Sequence, residues 1–179
     1  LPSTVECGMN VIAPATVADL VNGHYARDYD NVLIIDARFD YEFDGGHVRG
    51  AKHVPTQEVM RALLQDNPPT MNGERVCVVF HCEFSSQRGP ALYRALRSWD
   101  RKMHEHCYPQ LFYPEIYVLK GGYKRFFFDY PQLCEPQGYQ QMWDKDFKDA
   151  MGEGLRTNKA NRRSQSMNNV GEFQALRRS

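Results

Sequence analysis

Cys82 and Arg88 are the two residues whose chemistry and spacing say most about this sequence. They stand at the ends of the segment CEFSSQR, which follows His81 and precedes Gly89-Pro90. A cysteine thiolate is a strong nucleophile, and the planar guanidinium of an arginine can bind two oxygens of a phosphate group at once. The pair therefore predicts in-line attack of Cys82 on a phosphate monoester, with Arg88 gripping the phosphoryl group and a cysteinyl phosphate as the intermediate.

The residues between this pair are predicted to form a phosphate-binding loop. Backbone N–H groups of such a loop can hold the equatorial oxygens of the phosphate. The hydroxyls of Ser85 and Ser86 can donate hydrogen bonds to the sulfur, and His81 is predicted to order the loop. The complete predicted loop is Glu83, Phe84, Ser85, Ser86, Gln87 and Arg88.

Alternating strand and helix patterns surround the loop and predict an α/β domain with a parallel sheet. Ligands of such sheets gather at the carboxyl ends of strands, where a helix N-terminus offers unpaired N–H groups and a partial positive charge. Cys82 follows a predicted strand and precedes a predicted helix, so this field favours its thiolate form at neutral pH. The predicted strands are 31–36, 75–81 and 115–120; the predicted helices are 15–21, 56–64 and 90–103; and 39–53 is predicted to be a polar loop that leads to a short strand near Val54.

Composition bounds the domain organisation. With 179 residues of which 42% are hydrophobic, the chain can form one compact domain, predicted at residues 1–151. Residues 152–179 are poor in apolar side chains and rich in basic ones, so they are predicted to be a flexible basic tail. The net charge of zero and the short apolar runs argue against nucleic acid and membrane partners.

The ends of the chain and its cysteines bear on its origin. The sequence begins at Leu1, which suggests a segment of a longer polypeptide. Five cysteines without dense spacing favour a reducing compartment, so the expected location is the nucleus and cytoplasm.

The segment HCEFSSQRGP resembles the M-phase inducer phosphatases, the dual-specificity enzymes that activate cyclin-dependent kinases. The segments IIDARFDYEFDGGHV, FYPEIYVLKGGY and CEP extend the resemblance over roughly residues 10 to 150. It implies a rhodanese-like fold, in which a central five-stranded parallel sheet is flanked by helices on both faces, and no metal or other cofactor.

The resemblance also implies a substrate and partners. The substrate would be phosphothreonine and phosphotyrosine in the glycine-rich loop of a cyclin-dependent kinase bound to its cyclin, and the outcome would be mitotic progression. Regulatory kinases and a phosphoserine-binding adaptor are further candidate partners.

Site residues outside the loop follow from the same resemblance. It implies that Glu42 is buried and supports Arg88, and that Arg97, Arg101 and Tyr108 dock the kinase on a surface remote from the thiolate. Helical spacing independently predicts that Arg94, Arg97 and Arg101 form one exposed basic face.

Two positions depart from the family pattern. Gln87 replaces an acidic residue, which leaves the catalytic proton donor open between Glu83 and the substrate phosphate itself. Ala37 replaces a cysteine, so oxidised Cys82 lacks an internal disulfide partner, and we expect peroxide to inactivate the protein with poor recovery by thiols.

Three alternatives share parts of this pattern. A rhodanese-type sulfurtransferase uses a loop shorter by one residue, an arsenate reductase can use the same fold and loop length, and a pseudophosphatase would bind phosphorylated kinase without turnover. A zinc site at His104, His106 and Cys107 is not expected, because no second ligand pair accompanies them.

Overall fold

The structure of the chain is a computed structural model that describes residues 1–66, 74–103, 105–107, 109–144, 152 and 156. The chain divides into two units, residues 1–141 and residues 142–179. The predicted boundary at residue 151 and the predicted tail remain predictions, because only Gly152 and Arg156 of the tail are described.

The described part of the first unit contains a six-stranded sheet and a separate two-stranded ribbon. The strands of both are β1 (Thr4–Glu6), β2 (Met9–Ile12), β3 (Asn31–Asp36), β4 (His47–Val48), β5 (Lys52–His53), β6 (Val76–His81), β7 (Glu115–Leu119) and β8 (Cys134–Glu135). The large sheet has the order β1-β2-β7-β6-β3-β5, and only β1 and β2 pair in the antiparallel sense. β4 and β8 form a separate antiparallel ribbon.

Helices cover both faces of this sheet. They are α1 (Pro14–Val21), α2 (Asp40–Asp44), α3 (Gln57–Asp66), α4 (Arg88–Met103) and α5 (Gly122–Asp129), with 3₁₀ turns at Glu105–Cys107 and Pro131–Leu133. Buried residues of α3 and α4 pack in one hydrophobic cluster, and those of α1 and α5 pack in a second. The expected rhodanese-like arrangement of five parallel strands between helices is confirmed, with β1 added at one edge.

β6 shows why the sequence forms a central strand. All six of its residues are buried, and the side chains of the first five alternate between the two clusters. Val78 and Phe80 belong to the α4-side cluster, whereas Cys77 and Val79 belong to the α5-side cluster. A strand covered on both faces needs a continuous apolar run, and β6 has one.

Two sequence predictions need correction, and one hairpin was missed. The predicted loop at 39–53 contains α2, β4 and β5, because the Glu42 side chain accepts a hydrogen bond from the Phe39 amide and starts a helix there. α4 begins at Arg88 instead of Pro90, since Ala91 N–H donates to the Gln87 carbonyl and forms the first turn. The hairpin of β1 and β2 was not predicted. None of the described helices has the length and apolarity that a membrane crossing requires.

Candidate active site

The predicted loop lies at the carboxyl end of the central strand. β6 ends at His81, Cys82 follows it directly, and α4 begins at Arg88. Cys82 is buried, whereas Phe84, Ser86 and Gln87 are exposed on the loop. The structure therefore forms the strand, loop and helix that an anion site of this kind requires.

The amino-terminal end of α5 fixes the first two peptide groups of the loop. Tyr123 N–H donates to the Cys82 carbonyl at 2.9 Å, and Lys124 N–H donates to the Glu83 carbonyl at 3.0 Å. The approach is so close that a Cβ on Gly122 would lie 2.4 Å from the Glu83 oxygen, and its φ of +65° also favours glycine. In a trans peptide the N–H points away from the carbonyl, so the amides that follow these carbonyls point away from α5.

Ser85 turns the loop back on itself. Its φ of 54° lies in the left-handed region, which is uncommon for a residue with a side chain. Such turns direct successive N–H groups into a concave nest that binds anions. The Ser85 hydroxyl oxygen is buried and has no hydrogen-bond partner within the described residues, so its proton is available to a ligand or to the sulfur.

Arg88 is held by a buried carboxylate. Its Nη2 donates to Glu42 Oε1 at 2.9 Å, and its Nη1 donates to Glu42 Oε2. Glu42 is fully buried, and the Phe39 ring lies 4.8 Å from the guanidinium carbon. In the described part of the chain the Arg88 guanidinium has no other hydrogen-bond partner, so its edge that contains Nε remains available to an oxyanion.

The charge on Arg88 is secured by this contact. Burial lowers the pKa of Arg88, but the hydrogen bonds and negative charge of Glu42 outweigh burial and raise the pKa above its ordinary value. Arg88 is therefore a permanent cation at the end of the loop.

A second buried ion pair lies beside the start of the loop. Arg38 Nε is 3.0 Å from both Asp36 oxygens, and its Nη2 is 2.7 Å from Oδ2. Nη2 also donates to the Gly46 carbonyl at 2.6 Å, and the guanidinium lies 3.9 Å from the centre of the Tyr123 ring. Asp36 is the register partner of His81, so this pair lies next to the residue that precedes Cys82.

Burial and charge act in opposite directions on these groups. Burial raises the pKa of Asp36, but the charge of His81 whenever its imidazole is protonated, together with the charge and hydrogen bonds of Arg38, holds the pKa below its ordinary value. Burial lowers the pKa of His81, and the nearby Asp36 charge does not reverse that effect. Neither ring nitrogen of His81 has a hydrogen-bond partner among the described residues, but its Nδ1 lies 3.8 Å from Asp36 Oδ1, so any ordering of the loop by His81 relies on packing and on this polar contact.

Glu83 lies in an enclosed position. It is only 2% exposed, and its Oε1 accepts a hydrogen bond of 2.6 Å from the Tyr139 hydroxyl. Its Oε2 is buried without a partner in the described residues. The role of Glu83 as proton donor stays a prediction.

The arginines predicted to form an exposed docking face differ in how far they are exposed. Arg97 was expected on an exposed face, but it is largely buried: its Nη1 donates to the Tyr113 carbonyl at 2.9 Å and its Nη2 to the Pro114 carbonyl at 3.1 Å. The expectation of an exposed Arg97 is therefore wrong, because the connection before β7 covers this side of α4. Arg94 and Arg101 are exposed as predicted, and Tyr108 lies outside the described residues.

Sequence reasoning missed two contributors to the site. Phe39 lies against the guanidinium of Arg88, and Tyr139 contacts the loop from a position 56 residues after Glu83. No local sequence pattern predicts either contact. Tyr139 lies three residues after the CEP segment that carries the resemblance.

Comparisons with known proteins agree with this geometry. The sequence model of the Rhodanese-like domain family matches residues 18–127. M-phase inducer phosphatase 1-B of Xenopus laevis is 45% identical over 145 residues, which cover 80% of this chain and 26% of that protein. M-phase inducer phosphatase 1 of Mus musculus is 47% identical over 143 residues, which cover 79% of this chain and 27% of that protein. The chain thus spans about a quarter of the length of these relatives.

Solved structures share the fold. The As-Sb reductase of Leishmania major is similar with a TM-score of 0.54 and 23% identity, covering 69% of this chain and 83% of that one. A yeast protein tyrosine phosphatase of the Rhodanese family is similar with a TM-score of 0.51 and 24% identity, covering 68% and 85%. The chain belongs to the rhodanese-like domain family, and it is similar to the M-phase inducer phosphatases over about four-fifths of its length.

Proposed function

We propose that this domain is a dual-specificity protein phosphatase that removes phosphate from phosphothreonine and phosphotyrosine of a cyclin-dependent kinase. One arrangement carries the proposal: Cys82 begins a loop with a left-handed turn at Ser85, and the loop ends at an Arg88 whose open edge can grip an oxyanion. The similarity to the M-phase inducer phosphatases supports the same class of reaction.

In the first step of this mechanism, the Cys82 thiolate attacks phosphorus. The S–P bond forms while the ester P–O bond breaks, and the departing oxygen takes the proton of the monoanionic substrate phosphate. Loop amides and Arg88 stabilise the negative charge on the equatorial oxygens throughout. Because Gln87 is exposed and carries no proton to transfer, the substrate is our preferred proton source.

In the second step, water attacks the cysteinyl phosphate. The S–P bond breaks, inorganic phosphate carries away the protons of the water, and the thiolate is restored. The cycle consumes only the phosphate monoester and water, and it regenerates the Cys82 thiolate, so it balances without a cofactor.

Substrate selection is proposed to depend on contacts remote from the loop. A phosphate held by a shallow loop offers little that distinguishes one phosphoprotein from another, so protein substrates need additional contacts. Arg101 is exposed on α4 and is our main candidate for docking a kinase–cyclin complex, with Tyr108 as a further candidate. Action on such a complex would take place in the nucleus and cytoplasm.

The decisive experiment measures hydrolysis of an aryl phosphate in the presence of EDTA, comparing the chain with Cys82→Ser. We expect turnover that orthovanadate inhibits and that Cys82→Ser loses. A burst of aryl alcohol before steady state would reveal the cysteinyl phosphate.

The alternatives have their own signatures in the same preparation. Thiocyanate formation from thiosulfate and cyanide would indicate a sulfurtransferase, and thiol-dependent arsenate consumption would indicate an arsenate reductase. Absence of aryl phosphate turnover combined with binding of phosphorylated kinase would indicate a pseudophosphatase and would refute the proposal.

A further inference from the structure

The segment 134–141 lies across two parts of the site. β8 at its start pairs with β4, and the Gly138 carbonyl accepts a hydrogen bond of 2.7 Å from the Tyr123 hydroxyl. A Cβ on Gly46 would lie 2.0 Å from the Gly138 oxygen, so this segment rests directly on the turn that follows α2. We call residues 134–141 the strap.

The Tyr139 side chain of the strap contacts the catalytic loop. The Tyr139 hydroxyl donates to Glu83 Oε1 at 2.6 Å, and this is the hydrogen bond that the Glu83 carboxyl has within the described residues. The Tyr139 ring is fixed by Phe127, whose ring centre is 6.0 Å away in a stacked arrangement, and by Phe128 at 5.9 Å in an edge arrangement. The donor is thus held in place from both sides.

The Tyr139 hydroxyl keeps the proton that it donates to Glu83. Burial raises the pKa of Tyr139, and the hydrogen bond and charge of Glu83 raise it further. The phenol therefore keeps its proton over the whole range in which a phosphatase works.

Glu83 matters to the loop because its backbone belongs to the loop. Its carbonyl is tied to α5, and its amide follows the Cys82 carbonyl, which is tied there as well. If the buried carboxyl lost its hydrogen bond, it would leave the interior to regain water, and the Glu83 peptide groups would rotate with it. The strap also touches the turn after α2, and α2 carries the Glu42 that holds Arg88. One segment thus braces both ends of the loop.

We propose that Tyr139 is a positioning residue of the catalytic loop, which acts through the Glu83 carboxyl to hold the loop amides in the direction that binds phosphate. This inference rests on the proposed phosphatase function. The strap lies after residue 127, where the match to the Rhodanese-like family model ends, and it begins with the CEP segment that resembles the M-phase inducer phosphatases.

The test compares Tyr139→Phe with Tyr130→Phe as its matched control. Tyr130 packs on Phe126 in the same aromatic region, and its hydroxyl has no hydrogen-bond partner within the described residues. At a temperature where both variants are folded, we expect Tyr139→Phe to lower kcat for an aryl phosphate about 10- to 100-fold and to weaken orthovanadate inhibition by a similar factor. Tyr130→Phe should match the wild type in both measurements.

A double-mutant cycle with Glu83→Met shows whether Tyr139 acts through Glu83. Glu83→Met should reduce kcat comparably, and adding Tyr139→Phe should cost less than about 3-fold more, because the link is already lost. Independent, multiplying effects would overturn the inference. A loss in Glu83→Met that grows steeply with the basicity of the leaving group would also overturn it, since Glu83 would then be the proton donor.

The outcomes separate this inference from the proposed function. A wild-type chain that neither turns over aryl phosphate nor binds tungstate by calorimetry refutes the phosphatase function, and the inference with it. A wild-type chain that is active, with Tyr139→Phe equal to it in kcat and vanadate inhibition and lower only in melting temperature, refutes the inference alone.

Discussion

The guanidinium of Arg88 has two tasks, and separate edges of the group perform them. Its two terminal nitrogens, Nη1 and Nη2, donate hydrogen bonds to Glu42, and the edge of the guanidinium that contains Nε is left to bind an oxyanion. Because Glu42 is fully buried and Arg88 is only 17% exposed, water cannot replace either partner well. A buried charge that loses its partner is costly, so the geometry of Arg88 depends on Glu42.

Replacing Glu42 by Gln tests this dependence. The amide of Gln places N–H donors against N–H donors of Arg88, so we expect kcat/KM for an aryl phosphate to fall about 100-fold. The free energy of unfolding should fall by about 2–3 kcal/mol, since a buried partner of a charge is removed. Activity assays and urea unfolding provide the two measurements.

An exposed ion pair supplies the control for this substitution. Arg75 and Asp30 also form paired hydrogen bonds, but their side chains are about half exposed. Asp30→Asn should change the free energy of unfolding by less than about 0.5 kcal/mol and leave kcat/KM unchanged. Equal effects of the two substitutions would show that Glu42 has no special role.

Residue types and spacing predicted Cys82, Arg88 and the loop, because a nucleophile and a cation at the two ends of a seven-residue span at a strand-to-helix junction have few other uses. The same reasoning could not find Tyr139. Its contact with Glu83 spans 56 positions and depends on where the strap crosses the α2 turn, which is a tertiary feature. Burial of Glu83 was equally hidden, since an isolated Glu in a loop is ordinarily exposed.

At the scale of elements, α4 joins the site to the connection before β7. Asp100 on α4 is fully buried and accepts hydrogen bonds from the Phe112 and Tyr113 amides at 2.9 and 3.0 Å. Arg97 completes this junction by donating to two carbonyls of the same connection. Helical periodicity placed Arg97 on the polar face correctly, but it could not reveal that another segment covers that face.

Arg97 and Arg101 should therefore respond differently to replacement by Ala. Arg97→Ala removes a part-buried and an exposed hydrogen bond from a charged group to backbone carbonyls and should lower the free energy of unfolding by about 1–3 kcal/mol. Arg101→Ala should leave stability within about 0.5 kcal/mol, and it should reduce dephosphorylation of a kinase–cyclin complex about 10-fold without changing aryl phosphate hydrolysis.

Arg94→Ala is the matched control, since Arg94 is exposed on the same helix. It should leave stability and aryl phosphate hydrolysis unchanged, and we expect a smaller effect on the kinase than from Arg101→Ala. If Arg97→Ala or Arg101→Ala reduced aryl phosphate hydrolysis as much as kinase dephosphorylation, the docking role would be wrong.

At the scale of the whole molecule, most of the buried polar and charged side chains of the described residues lie beside the loop: Asp36, Arg38, Glu42, His81 and Glu83. His81 is fully buried there, with Asp36 Oδ1 3.8 Å from its Nδ1. The Tyr123 ring stacks near it at 6.2 Å, and Arg38 and His47 are the cationic or titratable neighbours that oppose its protonation. The fold therefore holds a neutral imidazole at its centre.

This burial predicts how the stability of the chain depends on pH. The pKa of His81 is lower in the folded protein than its ordinary value of 6.5. As the pH falls below 6.5, the His81 imidazole therefore binds a proton in the unfolded chain before it does so in the folded chain. The contribution of neutral His81 to the free energy of unfolding is fully present above about pH 6.5 and is lost as the pH falls toward the folded pKa, by up to about 1.4 kcal/mol per pH unit.

Urea unfolding at pH 7.5, 6.5 and 5.5 with a thiol reductant should reveal this decline. His81→Phe should flatten it, whereas His24→Gln, which alters an exposed histidine, should leave the slope as it is. A wild-type slope that survives in His81→Phe would place the responsible proton elsewhere in the molecule.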